Sequence, residues 1–308
     1  MRDALWFDLG PAAAVWIRGE QARRFANGMF TNNIRDLAVG CANRSALVDD
    51  RGRLGGFLDL LCVAPDRFLA VVEGISPQAF TERYEKYAML DDVELEPVVG
   101  WAHHTVQGPA VPAALVPPAD QWSATLPVSG SGSAESPHGY RWRRSRSAAG
   151  GVDWVGPPTD SSGFSGVGCG TADELVALRV LAGRVAFPED TGDKRLPAEI
   201  GLRDELLSFD KGCYIGQESI NRVDVMGEVK RRLVGVRGEG PTPAPGAPVW
   251  VGGSSVGELT SPVSLPSGGW VGLSVVRRPA DAPGTVAEVE VAGARWDARV
   301  EAFPIELP

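Results

Sequence analysis

Residues 211–218 read Lys-Gly-Cys-Tyr-Ile-Gly-Gln-Glu and place a nucleophile, a cation and two polar side chains within one short segment. Cys213 is one of only 4 cysteines, and Lys211 is rare in a chain whose basic residues are mostly arginine. A nearby ammonium group or a helix N-terminus favours thiolate over thiol, so Lys211 could activate Cys213. Gly212 lets the backbone approach a ligand, and Gly216 permits a positive φ. Gln217 and Glu218 offer an amide and a carboxylate to a ligand's polar edge. The competing reading makes Cys213 a small buried hydrophobe in a turn. A thiol-protease or acyltransferase needs a partner histidine, and His103, His104 and His138 stand in no recognisable context for one.

The elements that would position this segment show in the hydrophobic pattern. Residues 14–17, 46–48, 56–63 and 68–72 read as strands, and residues 20–30 and 77–89 as helices. Their order suggests a split β-α-β, ferredoxin-like arrangement. From Gly108 to Gly139 the chain is rich in Pro, Ser, Ala and Gly, including a Ser-Gly run at 129–133, and reads as loops. Thr171 should cap a helix over 173–186, and helical signal returns at 203–209 and 217–225. After Arg232, short strands separated by glycine and proline predict a small antiparallel barrel or sandwich. The expected division is 1–107, a loop region at 108–149, a second α+β part at 150–231, and 232–308.

The net charge of −9 argues against a nucleic-acid partner. The basic run Arg141, Arg143, Arg144 and Arg146 reads as a solvated loop or strand edge rather than a binding patch. No stretch approaches the roughly 20 apolar residues of a membrane span. Asp3 and Asp8 precede any apolar run that could serve as a secretory signal. Cys41, Cys62, Cys169 and Cys213 lack metal-ligand spacing, so no metal site is expected, and their scatter suits a reducing, cytoplasmic setting.

The segment from Lys211 to Arg222 closely resembles the signature of the YgfZ family of tetrahydrofolate-binding proteins. These are relatives of the glycine-cleavage T-protein, an aminomethyltransferase, and assist iron–sulfur enzymes. Residues 8–9, 15–19, 25–34, 55–59, 178–183, 188–202, 256–261 and 300–304 are similar to T-protein segments. The resemblance implies an α+β fold with two ferredoxin-like domains around a central folate cavity and a C-terminal antiparallel β-barrel. It also implies tetrahydrofolate or a one-carbon derivative as cofactor, and iron–sulfur client proteins as partners. The chain departs from the T-protein pattern at its paired aspartates, where Asp59 is followed by Leu60, and after the next strand, where Glu73 replaces an asparagine.

On this resemblance Cys213 and Lys211 carry the thiol chemistry, while Glu199 accepts the paired donors of a pterin edge. Without the resemblance, Glu199 reads as an exposed cap or loop carboxylate. Tyr214, Trp101 and Met29 are candidate ring walls. Arg222 would meet the anionic tail, or else form a surface ion pair with Asp224 or Glu218. Asp59, in an apolar strand, either serves the pocket as base or orienter or caps a hairpin turn. Thr31 and Asn32 could face the pocket or merely end a helix. Three functions compete: folate-dependent support of iron–sulfur clusters, aminomethyl transfer, and a non-catalytic folate-dependent adaptor.

Overall fold

Apolar alternation and helical periodicity in the first hundred residues resolve into one five-stranded antiparallel sheet with two helices on one face. The computed structural model describes residues 3–117, 122–124, 139–158, 164, 166–225 and 229–307. Strands β1 (Leu5–Pro11) and β2 (Ala14–Arg18) lead into helix α1 (Ala22–Met29). Then come β3 (Ala42–Val48), β4 (Leu54–Ala64), β5 (Arg67–Glu73), α2 (Pro77–Leu90) and β6 (Glu94–Pro97). The sheet order β3-β4-β5-β2-β6 is the expected split arrangement, with β3 as an added edge strand. Ser76 caps α2 through the Ala79 amide, and Pro77 takes the first turn, where its missing N–H costs nothing. Phe25, Phe30, Phe68, Phe80 and Tyr84 fill the core between these helices and the sheet.

The second sheet is interleaved with the first. It runs β11 (Gly168–Cys169), β1, β7 (Ala102–Gln107), β10 (Gly151–Gly156), β9 (Tyr140–Arg143) and β8 (Trp122–Ala124). Strand β1 therefore joins strands more than ninety residues away in sequence, and the Gly108–Gly139 stretch, expected as loops, contains β8. Strand β9 follows it directly. Pro118, the Ser-Gly run at 129–133 and His138 lie outside the described residues. Trp142, Tyr140 and Val155 pack this sheet back on Leu61, Leu69 and Val71 of the first.

Thr171 caps helix α3 (Ala172–Leu181) in a reciprocal box with Glu174. The helix ends earlier than its periodicity suggests because Gly183 adopts φ +68°. Helices α4 (Arg203–Leu206) and α5 (Gln217–Val225) follow. The barrel closes in the order β12 (Arg231–Gly238), β15 (Trp270–Arg277), β14 (Ser254–Ser264), β13 (Pro248–Val251), β16 (Val286–Val291) and β17 (Ala294–Glu301). A core of Val180, Ile200, Leu206, Tyr214, Leu273 and Ile305 joins α3–α5 to the barrel and to Phe57 of the first sheet. The α+β architecture with a closed antiparallel barrel is as expected.

Gly183 is also where the chain's end docks. A Cβ there would lie 2.4 Å from Cγ of Phe303, and the Ile305 amide donates to the Leu181 carbonyl at 2.7 Å. Gly183→Ala combines a left-handed penalty with this clash. It should lower unfolding free energy by about 1–3 kcal/mol in urea titrations.

Candidate functional site

Strands β3, β4, β9 and the chain after β9 surround a cavity of about 340 Å³, lined by Asn43, Arg44, Asp59, Trp142, Arg144 and Glu205 among others. Arg44 and Asp59 are directly opposed across the β3–β4 pair, and both are buried. Arg144 Nε lies 3.2 Å from Asp59, and Arg44 Nε lies 3.8 Å away. Burial raises the Asp59 carboxyl, opposed by the two guanidinium groups.

Behind this pair lies Glu73. It accepts from Arg44 at 3.1 Å, Arg144 at 3.3 Å and Arg146 at 2.6 Å. Burial alone would raise its carboxyl, but Arg146, Arg144 and Arg44 hold it well below the usual range. Arg146 also contacts Asp153 at 2.6 Å, and Asp153, fully buried, meets His103 Nε2 at 3.0 Å. At the rim, Glu205 binds Arg44 at 2.8 Å and Arg184 at 2.5 Å. Its carboxyl is raised by burial but drawn down overall to about 2 by Arg44, Arg144 and Arg184. Asp59, Glu73 and Asp153 bring oxygens within 4.8 Å of one another, a grouping that could hold a cation. Here Arg44, Arg144 and Arg146 supply the compensating positive charge.

The basic run is thus corrected: Arg144 and Arg146 are internal countercharges rather than a solvated edge. His103 has a context that sequence spacing did not reveal, because Asp153 reaches it only through the β7–β10 register. Glu73, noted only as a departure, is the hub. The available signal was an acidic residue ending an apolar strand, which demands a partner.

The 211–218 segment is tied to the same wall from outside. Lys211 Nζ donates to the carbonyls of Phe30 at 2.5 Å and Asn32 at 2.7 Å, and lies 4.8 Å from the Tyr214 ring centroid. The Ile215 amide donates to the Gly28 carbonyl at 3.2 Å. Gly216, at φ +79°, passes so close to the 49–52 turn that a Cβ would meet the Asp49 carbonyl at 2.4 Å. Between these anchors Gly212 and Cys213 are exposed. Cys213 is absent from the cavity lining, and the Lys211 ammonium is engaged by backbone carbonyls.

Of the expected ligand contacts, Asp59 and Asn32 line the cavity. Asn32 spends its amide on the Arg44 and Glu205 carbonyls. Thr31 is buried and bridges the Leu206 carbonyl and the Ala46 amide. Glu199 turns back to accept from the Leu196 amide at 3.1 Å, capping a short 3-10 turn. Arg222 pairs with Glu218 at 3.4 Å on the exposed face of α5, whose first residue is Gln217. Tyr214 is buried in the α3–α5 core, Met29 packs in the first sheet's core, and Trp101 stands against Trp16 and Tyr140.

Two expectations follow. Arg146→Met leaves Glu73 and Asp153 underpaired and should cost about 3–5 kcal/mol in denaturant unfolding. Burial pulls the Lys211 ammonium down to about 7, below its unfolded value near 10.4. Between those limits the unfolded chain holds more protons, so stability should rise with pH from about 7 to 10 and fall as pH drops back. The difference between wild-type and Lys211→Met unfolding curves across that window measures the contribution; no pH dependence in the difference would contradict it.

Comparison with known proteins follows the same outline. Residues 1–126 match the GCVT N-terminal domain, and residues 231–305 match the glycine cleavage T-protein C-terminal barrel domain. An aminomethyltransferase of Rippkaea orientalis is 34% identical over 145 residues, 46% of this chain and 38% of that protein. The mouse (Mus musculus) protein named iron-sulfur cluster assembly factor IBA57, mitochondrial, is 42% identical over 77 residues, 23% of this chain and 20% of its own length. The matched parts thus span well under half the length of these relatives. In structure, the glycine cleavage system aminomethyltransferase T of Bartonella henselae superposes with a TM-score of 0.83 at 19% identity, covering 98% of this chain and 86% of that one. With both of its domains matched in order, the chain belongs to the glycine-cleavage T-protein superfamily.

Proposed function

We propose that the chain binds a reduced folate in the central cavity and supports iron–sulfur enzymes through Cys213. The observation carrying this reading is that the Cys213 thiol is exposed on a loop anchored to the cavity wall by Lys211, where another macromolecule can reach it.

The cavity's chemistry suits a reduced pterin. Asp59 lines the cavity between the Arg144 and Arg44 guanidinium groups, and Asn43 Oδ1 is a buried acceptor without a donor among the described residues. A pterin edge supplies an amino group and a ring N–H, so Asp59 and Asn43 would hold it. Trp142 offers a flat wall, and Arg143 and Arg184 offer positive charge to an anionic tail. When bound, the folate would supply one-carbon carrying capacity. The protein's part is to orient the ring with Asp59 and exclude water with Trp142. Arg44 and Arg144 help keep Glu73 and Glu205 ionised.

A second reading, folate-dependent aminomethyl transfer, is favoured by the presence of Asp59 in the cavity, where a carboxylate could act on a one-carbon unit. Against it stands the replacement of the second aspartate by Leu60, whose side chain is fully buried in the helix-side core.

Calorimetric titration with tetrahydrofolate should give binding in wild type, weakened about tenfold or more by Asp59→Ala. Cys213→Ser should keep that affinity yet fail to restore iron–sulfur enzyme activity in cells lacking the protein. Absence of binding at millimolar folate would refute the reading. Robust glycine cleavage by the purified chain, unaffected by Cys213→Ser, would establish the transferase instead.

A further inference from the structure

Cys41 and Cys62, far apart in sequence, face one another at the end of the β3–β4 ladder. The Ala42–Leu61 pairing puts them next in register. The Gly40 amide donates to the Cys62 carbonyl at 2.9 Å, and the Cys62 amide donates to the Cys41 carbonyl at 3.0 Å. With Gly40 at φ +87°, this is a bulge in which Gly40 and Cys41 together oppose Cys62. Directly opposed residues of an antiparallel pair hold their Cβ atoms roughly 4.5–5.5 Å apart on one face, at or just beyond the roughly 3.5–4.5 Å that a disulfide spans, so a small backbone shift closes the pair.

A cation already addresses this pair. Arg23 Nη2 lies 3.2 Å from Cys62 Sγ, and its Nη1 donates to the Ile34 and Leu37 carbonyls at 2.9 and 2.6 Å. Burial raises the Cys62 thiol, Arg23 opposes that shift, and Cys41 is near enough to add to it. Cys62 is fully buried whereas Cys41 is partly accessible, so an incoming reagent meets Cys41 first.

We propose that Cys41 and Cys62 are a redox-active pair that closes to a disulfide by exchange with a low-molecular-weight disulfide. The Cys41 thiolate attacks one sulfur of the reagent, breaking its S–S bond and releasing one thiolate, which takes up the proton Cys41 lost. The Cys62 thiolate, stabilised by Arg23, then attacks the Cys41 sulfur and expels the second thiolate, protonated in turn. Two protein thiols are oxidised and one reagent disulfide is reduced to two thiols. The new bond ties the 34–41 loop to β4 next to Ala42 and Asn43, which line the central cavity. The inference does not depend on the folate reading.

The test is incubation of the full chain with glutathione disulfide, alkylation and tryptic mapping. Trypsin cuts after Arg44, Arg51 and Arg53, so the two cysteines leave in separate peptides. The expected result is one cross-linked peptide pair containing Cys41 and Cys62. Cys62→Ser should stop at glutathione on Cys41. Arg23→Gln should slow closure about tenfold, so that the Cys41 mixed disulfide accumulates. Glutathione on the exposed Cys169 and Cys213 of the wild type, with no Cys41–Cys62 peptide, would overturn the proposal.

Discussion

Glu73 shares its two oxygens among three arginines in the space where the two sheets meet. Arg44 comes from the edge strand of the first sheet, while Arg144 and Arg146 come from the chain leaving β9 in the second. Asp59, Asp153 and Glu205 extend this array, and with Arg184 at the rim the four carboxylates face four guanidinium groups. Burying so many ions is tolerable only with such matching, because an isolated charge in an apolar interior costs several kcal/mol. The network therefore specifies how the sheets sit together and, by the same geometry, shapes the cavity between them. Its complete pairing also explains how the departure from the family pattern at position 73 can coexist with a well-formed site, while Leu60 is absorbed by the helix-side core.

Local features were legible in the sequence. The Thr171 cap, the helix start at Pro77, the split strand–helix order and the glycine-punctuated barrel strands all express short-range physics. Side-chain oxygens satisfy helix amides, proline tolerates a first turn, and alternation fits a half-buried sheet. Thr31 and Asn32 lie just past the first helix, which Phe30 caps, and they brace the neighbouring segments.

What escaped was long-range. Arg144 and Arg146 look like surface charges until β9 pairs with β10 and turns them against Glu73. Lys211 sits two residues from Cys213, yet its ammonium points to carbonyls of residues 30 and 32. Sequence proximity thus suggested activation of the thiol where the fold uses the cation as a tether. Glu199 shows the opposite case: the plain cap interpretation open to its composition is what its carboxylate does in this structure. No local pattern could have aligned Cys41 with Cys62, since their relation is a matter of strand register.

Closure of the six-stranded barrel has a consequence for recruitment of other proteins. A sheet rolled onto itself leaves no unpaired row of amides and carbonyls, so this lobe cannot capture a guest polypeptide as an additional strand. Any association there must rely on side-chain relief and connecting turns. Among the described residues, backbone-mediated docking is left to the margins of the two open sheets.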